Sequence, residues 1–331
     1  MLPWSRGMAG WTAAVLLAAP MTSLAVTCTT QAALQAQDRN ALAAVGLRLT
    51  TAVLQQDDAT LQAQLLPAIS SQWEGIRGEV ELGAPLVKGG QAQLQSIYLL
   101  DASAQTETTD DQFFCSNASG SITVTISMHA LPPGKYAVIL AQAAGAPLGG
   151  QIGLIVVWDP TATPAAWKLG GVSVRQGTVD GHDGVWYWTR ARAEAATGQP
   201  WSAWYSYDMA RYLLLPVDFL SSPNLEKLGR EQSEIKNPPG GFPISVSDGP
   251  RTWKIESVRI DTTLREADLS VTYESLGISD PAAARTEATA VLSAMLKAHP
   301  ELKENFHGMW AVASKDGKLT PVMELPMGQI P

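Results

Sequence analysis

The chain holds only two cysteines, no cluster of lysine or arginine, and no long apolar run beyond its first 25 residues. Each shortage excludes something. Nucleic acid and anionic membrane surfaces are bound through concentrated positive charge, so both are excluded as partners. The formal net charge of −8 agrees with this. No later segment reaches the roughly 20 apolar residues that a membrane helix requires; the run at 152–158 reads as a strand. Charged residues make up only 16% of the chain against 46% hydrophobic, which excludes extensive disorder. Several catalytic signatures are also missing. There is no Gly-x-Ser-x-Gly elbow, His-Glu-x-x-His, Cys-x-x-Cys, phosphate-cradling glycine loop or dinucleotide glycine fingerprint.

What is present begins with an address. Arg6, the apolar run at 11–19, Pro20 and the small-residue stretch Ser23-Leu24-Ala25 form a basic start, a short hydrophobic region and a cleavage site. Residues 1–25 therefore read as a signal peptide of bacterial type, and the mature chain as periplasmic or secreted from near Val26. Cys28 follows closely, so a lipid anchor must be weighed. The sequence Ala25-Val26-Thr27-Cys28 carries Thr where a lipobox carries Gly or Ala. The competing fate is a disulfide with Cys115, which an oxidising compartment favours. It would pin the N-terminus to the first domain, worth roughly 4–5 kcal/mol in the chain-entropy model. The two fates exclude each other because both use Cys28.

Along the mature chain, Leu34, Leu42, Val45, Leu49 and Val53 recur at helical spacing. Asp57-Asp58 interrupts, with Asp58 as the expected cap of a second helix carrying Leu61, Leu65 and Ile69. After Gly75 the period becomes that of strands, at 91–100, 121–128, 135–143, 151–158 and 166–176, bounded by Gly, Pro or Asp. Short connections imply antiparallel pairing. Helices followed by a curved antiparallel sheet make an α+β domain over 26–180.

That order, with the opening Leu54-Gln-Gln-Asp-Asp-Ala-Thr-Leu61, resembles the nuclear-transport-factor-2-like (cystatin-like) superfamily over residues 31–176. The resemblance implies a cone-shaped sheet that encloses a small-ligand pocket and sometimes an acidic catalytic residue. No position here matches such a residue. A helical hairpin is expected at 185–197 and 200–215, broken at Gly198. Its Tyr187, Ala191, Gly198, Ala203, Tyr207 and Ala210 resemble one tetratricopeptide-type repeat. Arg190 and Glu194 depart from that pattern, and Pro216 is one place off. A single copy cannot stack on neighbours, so the hairpin must pack on something else.

Ser222-Pro223 opens a further helix to about 236, which closes a segment at 181–236. Residues 237–250 read as a Pro/Gly linker. A C-terminal α+β module of ββαββ order follows at 251–331. Its helix is capped by Asp280-Pro281, and its last hairpin turns at Lys315-Asp316-Gly317-Lys318.

Eight aromatic residues crowd positions 186–212. Trp201, Trp204, Tyr205 and Tyr212 share one face of the second hairpin helix, and Ala203, Tyr207, Ala210 and Leu214 share the opposite one. A helix apolar on two sides must be covered on both. One side can meet the partner helix of the hairpin; the other needs either the sheet of the first domain, as an internal junction, or a separate molecule, in which case Trp186, Trp201, Trp204, Tyr205 and Tyr212 form an aromatic groove for a peptide or glycan. Asp180-Gly-His182-Asp183-Gly reads as a turn and a helix cap rather than a metal site. His129, His299 and His307 are scattered without ligand spacing, and His299 suits a helix C-terminus. Asp110-Asp111 reads as solvated charge in a polar loop. No metal or cofactor is expected.

The expectation is an exported, non-enzymatic protein whose sheet domain binds a small apolar ligand or a protein partner. The alternatives are a hydrolase or isomerase acting in an NTF2-like pocket, and an envelope assembly module docking through an exposed aromatic patch.

Overall fold

The computed structural model describes residues 26–331 apart from 118, 121, 122, 276, 278 and 279. The leader and the first two residues of the strand expected at 121–128 lie outside the described residues. The fold is mixed α+β. No helix among the described residues is long and apolar enough to cross a membrane.

The first unit starts with β1 (Thr27–Thr30), α1 (Ala36–Gln55) and α2 (Asp58–Gln64). Asp57, not Asp58, caps α2; its Oδ1 accepts from the Thr60 amide at 3.0 Å. A 3₁₀ turn (Pro67–Gln72) leads into α3 (Trp73–Val87), a helix in place of the strand period expected after Gly75. Gly75, Gly78, Gly83 and Pro85 dilute the helical signal there. Gly83 has a packing reason: a Cβ on it would lie 2.3 Å from the Val174 side chain. Only a residue without a side chain lets α3 approach the sheet this closely.

Strands β2 (Gln91–Asp101), β3 (Thr109–Ser116), β4 (Thr123–Leu131), β5 (Lys135–Ala144), β6 (Gln151–Asp159) and β7 (Ala166–Arg175) follow. They form a five-stranded antiparallel sheet, β1-β2-β5-β6-β7, and a smaller sheet built on the β3–β4 hairpin. Strand β3 corrects the reading of Asp110-Asp111 as part of a polar loop. Its alternation is plain: Phe113 and Cys115 are buried while Asp110, Gln112, Phe114 and Ser116 are exposed. The large sheet is covered on both faces. Ala137, Ile139 and Ala141 of β5 face Leu42, Leu49 and Val53 of α1, while Tyr136 and Val138 meet Phe113, Cys115 and Ile126. Cys28 and Cys115 form a disulfide between β1 and β3, so the sulfur of Cys28 is committed and the lipid-anchor alternative falls away.

The second unit begins with a two-strand turn, β8 (Thr178–Val179) and β9 (His182–Asp183), then α4 (Gly184–Ala196) and α5 (Pro200–Leu214). Asp183 caps α4 through the Trp186 amide. Strand β10 (Leu220–Ser221) pairs with β4 of the first unit, and α6 (Pro223–Ser233) is capped by Ser222. The last sheet comprises β11 (Ile244–Asp248), β12 (Arg251–Asp261), β13 (Asp268–Glu274), β14 (Gly308–Lys315) and β15 (Lys318–Pro326) in sequence order. Strand β11 occupies part of the expected linker. Strands β13 and β14 are parallel, because α7 (Pro281–Ala298) and the short α8 (Leu302–Asn305) carry the chain across between them.

Helices α4–α6 and this sheet share one hydrophobic core. Tyr207 and Ala210 of α5 are buried with Tyr187 and Ala191 of α4, and Ala203 on the same side is also fully buried. The opposite side of α5 packs on the C-terminal elements, with Tyr205 edge-on to Phe306 and Trp201 stacked on His299. The second side of the doubly apolar helix is therefore covered by the C-terminal module and not, as expected, by the sheet of the first domain, because α7, α8 and the last sheet fold back onto it. The two residues that depart from the repeat pattern pair with each other: Arg190 Nε donates to Glu194 Oε1 at 2.8 Å.

Candidate functional site

The register of the last sheet places three chemically active side chains together. Asp268 lies beside Gly308 across the parallel β13–β14 ladder, and Gly308 faces Pro326 of β15. Glu324 stands two residues before Pro326 and so shares its face. His307 immediately precedes β14. Its backbone is held at both ends, the amide donating to the Ala267 carbonyl at 2.9 Å and the carbonyl accepting from the Met327 amide at 2.8 Å. The imidazole Nδ1 is thereby set 3.0 Å from Asp268 Oδ1. The Asp268 side chain is 1% exposed and that of His307 41% exposed, so one partner anchors while the other reaches solvent.

Gly308 makes room for this cluster. A Cβ at that position would lie 2.4 Å from Glu324 Oε1 and 3.0 Å from Asp268 Oδ1. One potential ligand atom each from Asp268, His307 and Glu324 lies within 4.8 Å of the others. Asp268 Oδ2 and Glu324 Oε1 are both buried, and no described protein group donates to either.

A second carboxylate pair borders the first. Asp180 and Gly181 form the β8–β9 turn with φ of 51° and 74°. Asp180 Oδ2 accepts from the Ala267 amide at 3.1 Å, which fastens the turn to the start of β13. The Glu266 carboxyl is pushed above its usual range, chiefly by a hydrogen bond with Asp180 and then by burial. His307 is raised above the ordinary histidine value, first by its hydrogen bond to Asp268. Glu324 is raised by burial and by the Asp268 charge, with His307 opposing.

Asp180, Glu266 and His307 line one side of an open cleft of about 720 Å³ between the β8–β9 turn, α4, α8 and the start of the C-terminal sheet, and Asp268 and Glu324 lie behind His307. Arg190, Arg265 and Asn305 supply further polar groups. Arg190 Nη2 donates to Asn305 Oδ1 at 2.7 Å, which ties α4 to α8. No serine, threonine, cysteine or lysine is among the described residues lining the cleft.

The sequence-predicted aromatic residues fall elsewhere. Trp201 and Tyr205 are buried in the second core, and Trp204 and Tyr212 are half-buried against it. Trp186 alone of the five is exposed, at 37%, and it stacks on His182 with ring centroids 3.7 Å apart. They do not assemble into one groove, because α5 turns its aromatic face inward to the C-terminal module. The space between the helices and the first sheet, where the resemblance implies a pocket, is filled by aliphatic side chains such as Leu42, Leu49, Ile139, Leu154 and Val156. A hollow of about 490 Å³ opens instead at the rim beside the disulfide, near Arg39, Gln95 and Tyr98.

Sequence reasoning passed over His307 because its partners stand 39 and 17 positions away, and only strand register joins them. Compared with protein-family models, curated proteins and solved structures, the chain matches none.

Proposed function

We propose that this is an exported binding protein, without catalytic activity of its own, that takes a small polar ligand into the cleft between the β8–β9 turn and the C-terminal sheet. The observation that carries the reading is the position of the half-exposed His307 imidazole, which lines the cleft with Asp180 and Glu266 and is backed by Asp268 and Glu324. Clefts of several hundred Å³ with a few convergent polar groups are the usual form of small-ligand sites. Export is supported by the leader-like first 25 residues and by the Cys28–Cys115 disulfide. The NTF2-like reading of the first unit belongs to the same proposal, supported by helices laid on one face of an antiparallel sheet. Its role here is support rather than ligand capture, since that face is filled. Native mass spectrometry of protein purified from its own host tests the proposal. A small-molecule adduct on the wild type that is lost in Glu266→Gln is expected; a consistently bare monomer counts against it.

The Asp268–His307 hydrogen bond favours a second reading, in which the oriented imidazole activates water for hydrolysis. Turnover of ester or amide substrates that disappears in His307→Ala would favour it over binding alone.

A further inference from the structure

We propose that Asp268, His307 and Glu324 form a binding site for a divalent first-row transition ion, with Zn²⁺ the best match. The inference deepens the reading of the cleft as a ligand site, and it stands on the residues at the edge of the C-terminal sheet. One imidazole nitrogen and two carboxylate oxygens come from separate elements, as metal ligands normally do. A mixed N/O set of this kind suits ions of intermediate softness better than Mg²⁺ or Ca²⁺.

The second observation is the pair of buried oxygens. Asp268 is almost wholly enclosed, yet its Oδ2 receives no hydrogen bond from any described group, and neither does the buried Oε1 of Glu324. A buried carboxylate oxygen without a donor is costly and calls for a partner. No lysine or arginine pairs with either acid among the described residues; His307 is the salt-bridge partner of Asp268. A cation bound between the three side chains satisfies both orphaned oxygens and offsets the negative charge.

The surrounding chain is built to hold such a site. Gly308 lacks the side chain that would fill the space between the two carboxylates. His307 is fixed through its own amide and carbonyl, so its ring is positioned before any ligand arrives. Asp180, through the Ala267 amide, steadies the segment that carries Asp268. Supporting hydrogen bonds of this kind orient ligands and tune affinity. The exposed side of His307 faces the cleft, which leaves further coordination positions for water or for part of a cleft ligand.

The test is isothermal titration of the EDTA-treated full-length mature protein with ZnCl₂, alongside CaCl₂, for the wild type, Glu324→Gln and His307→Ala. A single Zn²⁺ site is expected, weakened at least about tenfold by either substitution, as loss of a ligand should do at minimum where even supporting-shell changes cost 10–100-fold. Circular dichroism in EDTA should show both variants folded, and Glu324→Gln removes a buried charge rather than a packed side chain. Absence of Zn²⁺ heat in the wild type overturns the proposal. So does Zn²⁺ binding that survives in both folded variants, or tighter binding of Ca²⁺ than of Zn²⁺. Because the titration reads the metal alone, a bare monomer in mass spectrometry leaves this site standing. Failure of the titration likewise leaves an organic cleft ligand open to its own test.

Discussion

Trp201 and His299 lie face to face, with ring centroids 3.6 Å apart and planes inclined by 21°. One ring opens α5 and the other closes α7, so the contact clamps the helical hairpin to the C-terminal module. Burial lowers the pKa of His299 below 6.5, against a smaller opposing effect of Glu301. The neutral form is held by packing on Trp201, and no imidazolium is needed to complement the end of α7.

This contact predicts a large loss on truncation. Trp201→Ala should destabilise the protein by about 3–5 kcal/mol, the usual cost of deleting a buried large aromatic. The His299 pKa should return towards its ordinary value at the same time. Urea denaturation and an NMR titration of the imidazole check the two parts. An unchanged urea midpoint would show that the clamp carries no weight.

The pH dependence follows in sign. The unfolded chain takes up a proton at His299 near 6.5, while the folded chain does so only at lower pH. Stability from this residue is complete above pH 6.5 and declines as pH falls through that value, levelling off below the depressed folded pKa. His299→Gln should therefore flatten the acid limb of the stability profile between pH 7 and 5. Parallel profiles for the two proteins would remove His299 from the account.

Asp208 on α5 behaves in the opposite sense. Burial raises its pKa, with the Gln232 hydrogen bond and the Arg211 charge opposing. Folding thus favours the protonated acid, and stability is lost as pH rises from the ordinary aspartate value through the raised one. Asp208→Asn keeps an acceptor for Gln232 Nε2, which now donates to Oδ1 at 2.7 Å. Its stability advantage over wild type should grow between pH 4 and pH 7 in paired denaturation curves. A constant difference across that range would count against the assignment.

The disulfide spans a sequence separation of 87 residues. Reduction, or a double Cys28→Ser, Cys115→Ser variant, should cost roughly 4–5 kcal/mol by loop-closure entropy. Denaturation with and without a strong reductant reads this directly. A much smaller cost would mean that the unfolded chain keeps β1 near β3 without the bond.

The cap of α6 offers a smaller, sharper test. Ser222 Oγ accepts from the Leu225 amide at 3.3 Å ahead of Pro223. Ser222→Ala should cost about 1 kcal/mol, whereas Ser222→Asp should be nearly neutral. Equal losses in both variants would shift the cause from capping to packing.

Much of the fold was readable because local chemistry announced it. Asp183, Ser222 and Asp280 each cap a helix that the sequence places correctly, and Lys315 faces Lys318 across the expected hairpin. Helix α3 was obscured by three glycines and a proline inside it, one of them kept small by Val174. Strand β3 was hidden by the adjacent acids Asp110 and Asp111 near its start, and β11 by the Gly/Pro residues before it. The aromatic stripe on α5 was visible, but its cover was not, because packing partners far along the chain leave no local mark. The candidate site was the least legible part. Asp268 and His307 become neighbours only because α7 returns the chain for a parallel pairing. No spacing within a single segment encodes that.

Strand β10 is borrowed. Its two residues, Leu220 and Ser221, complete the small sheet by pairing with Ile126 and Thr125 of β4. A chain stopped at residue 176 would therefore lack its third strand and present β4 as a bare template for any extended segment nearby. The two units are thus interdependent in solubility as well as in shape, and the first should self-associate when made without the second.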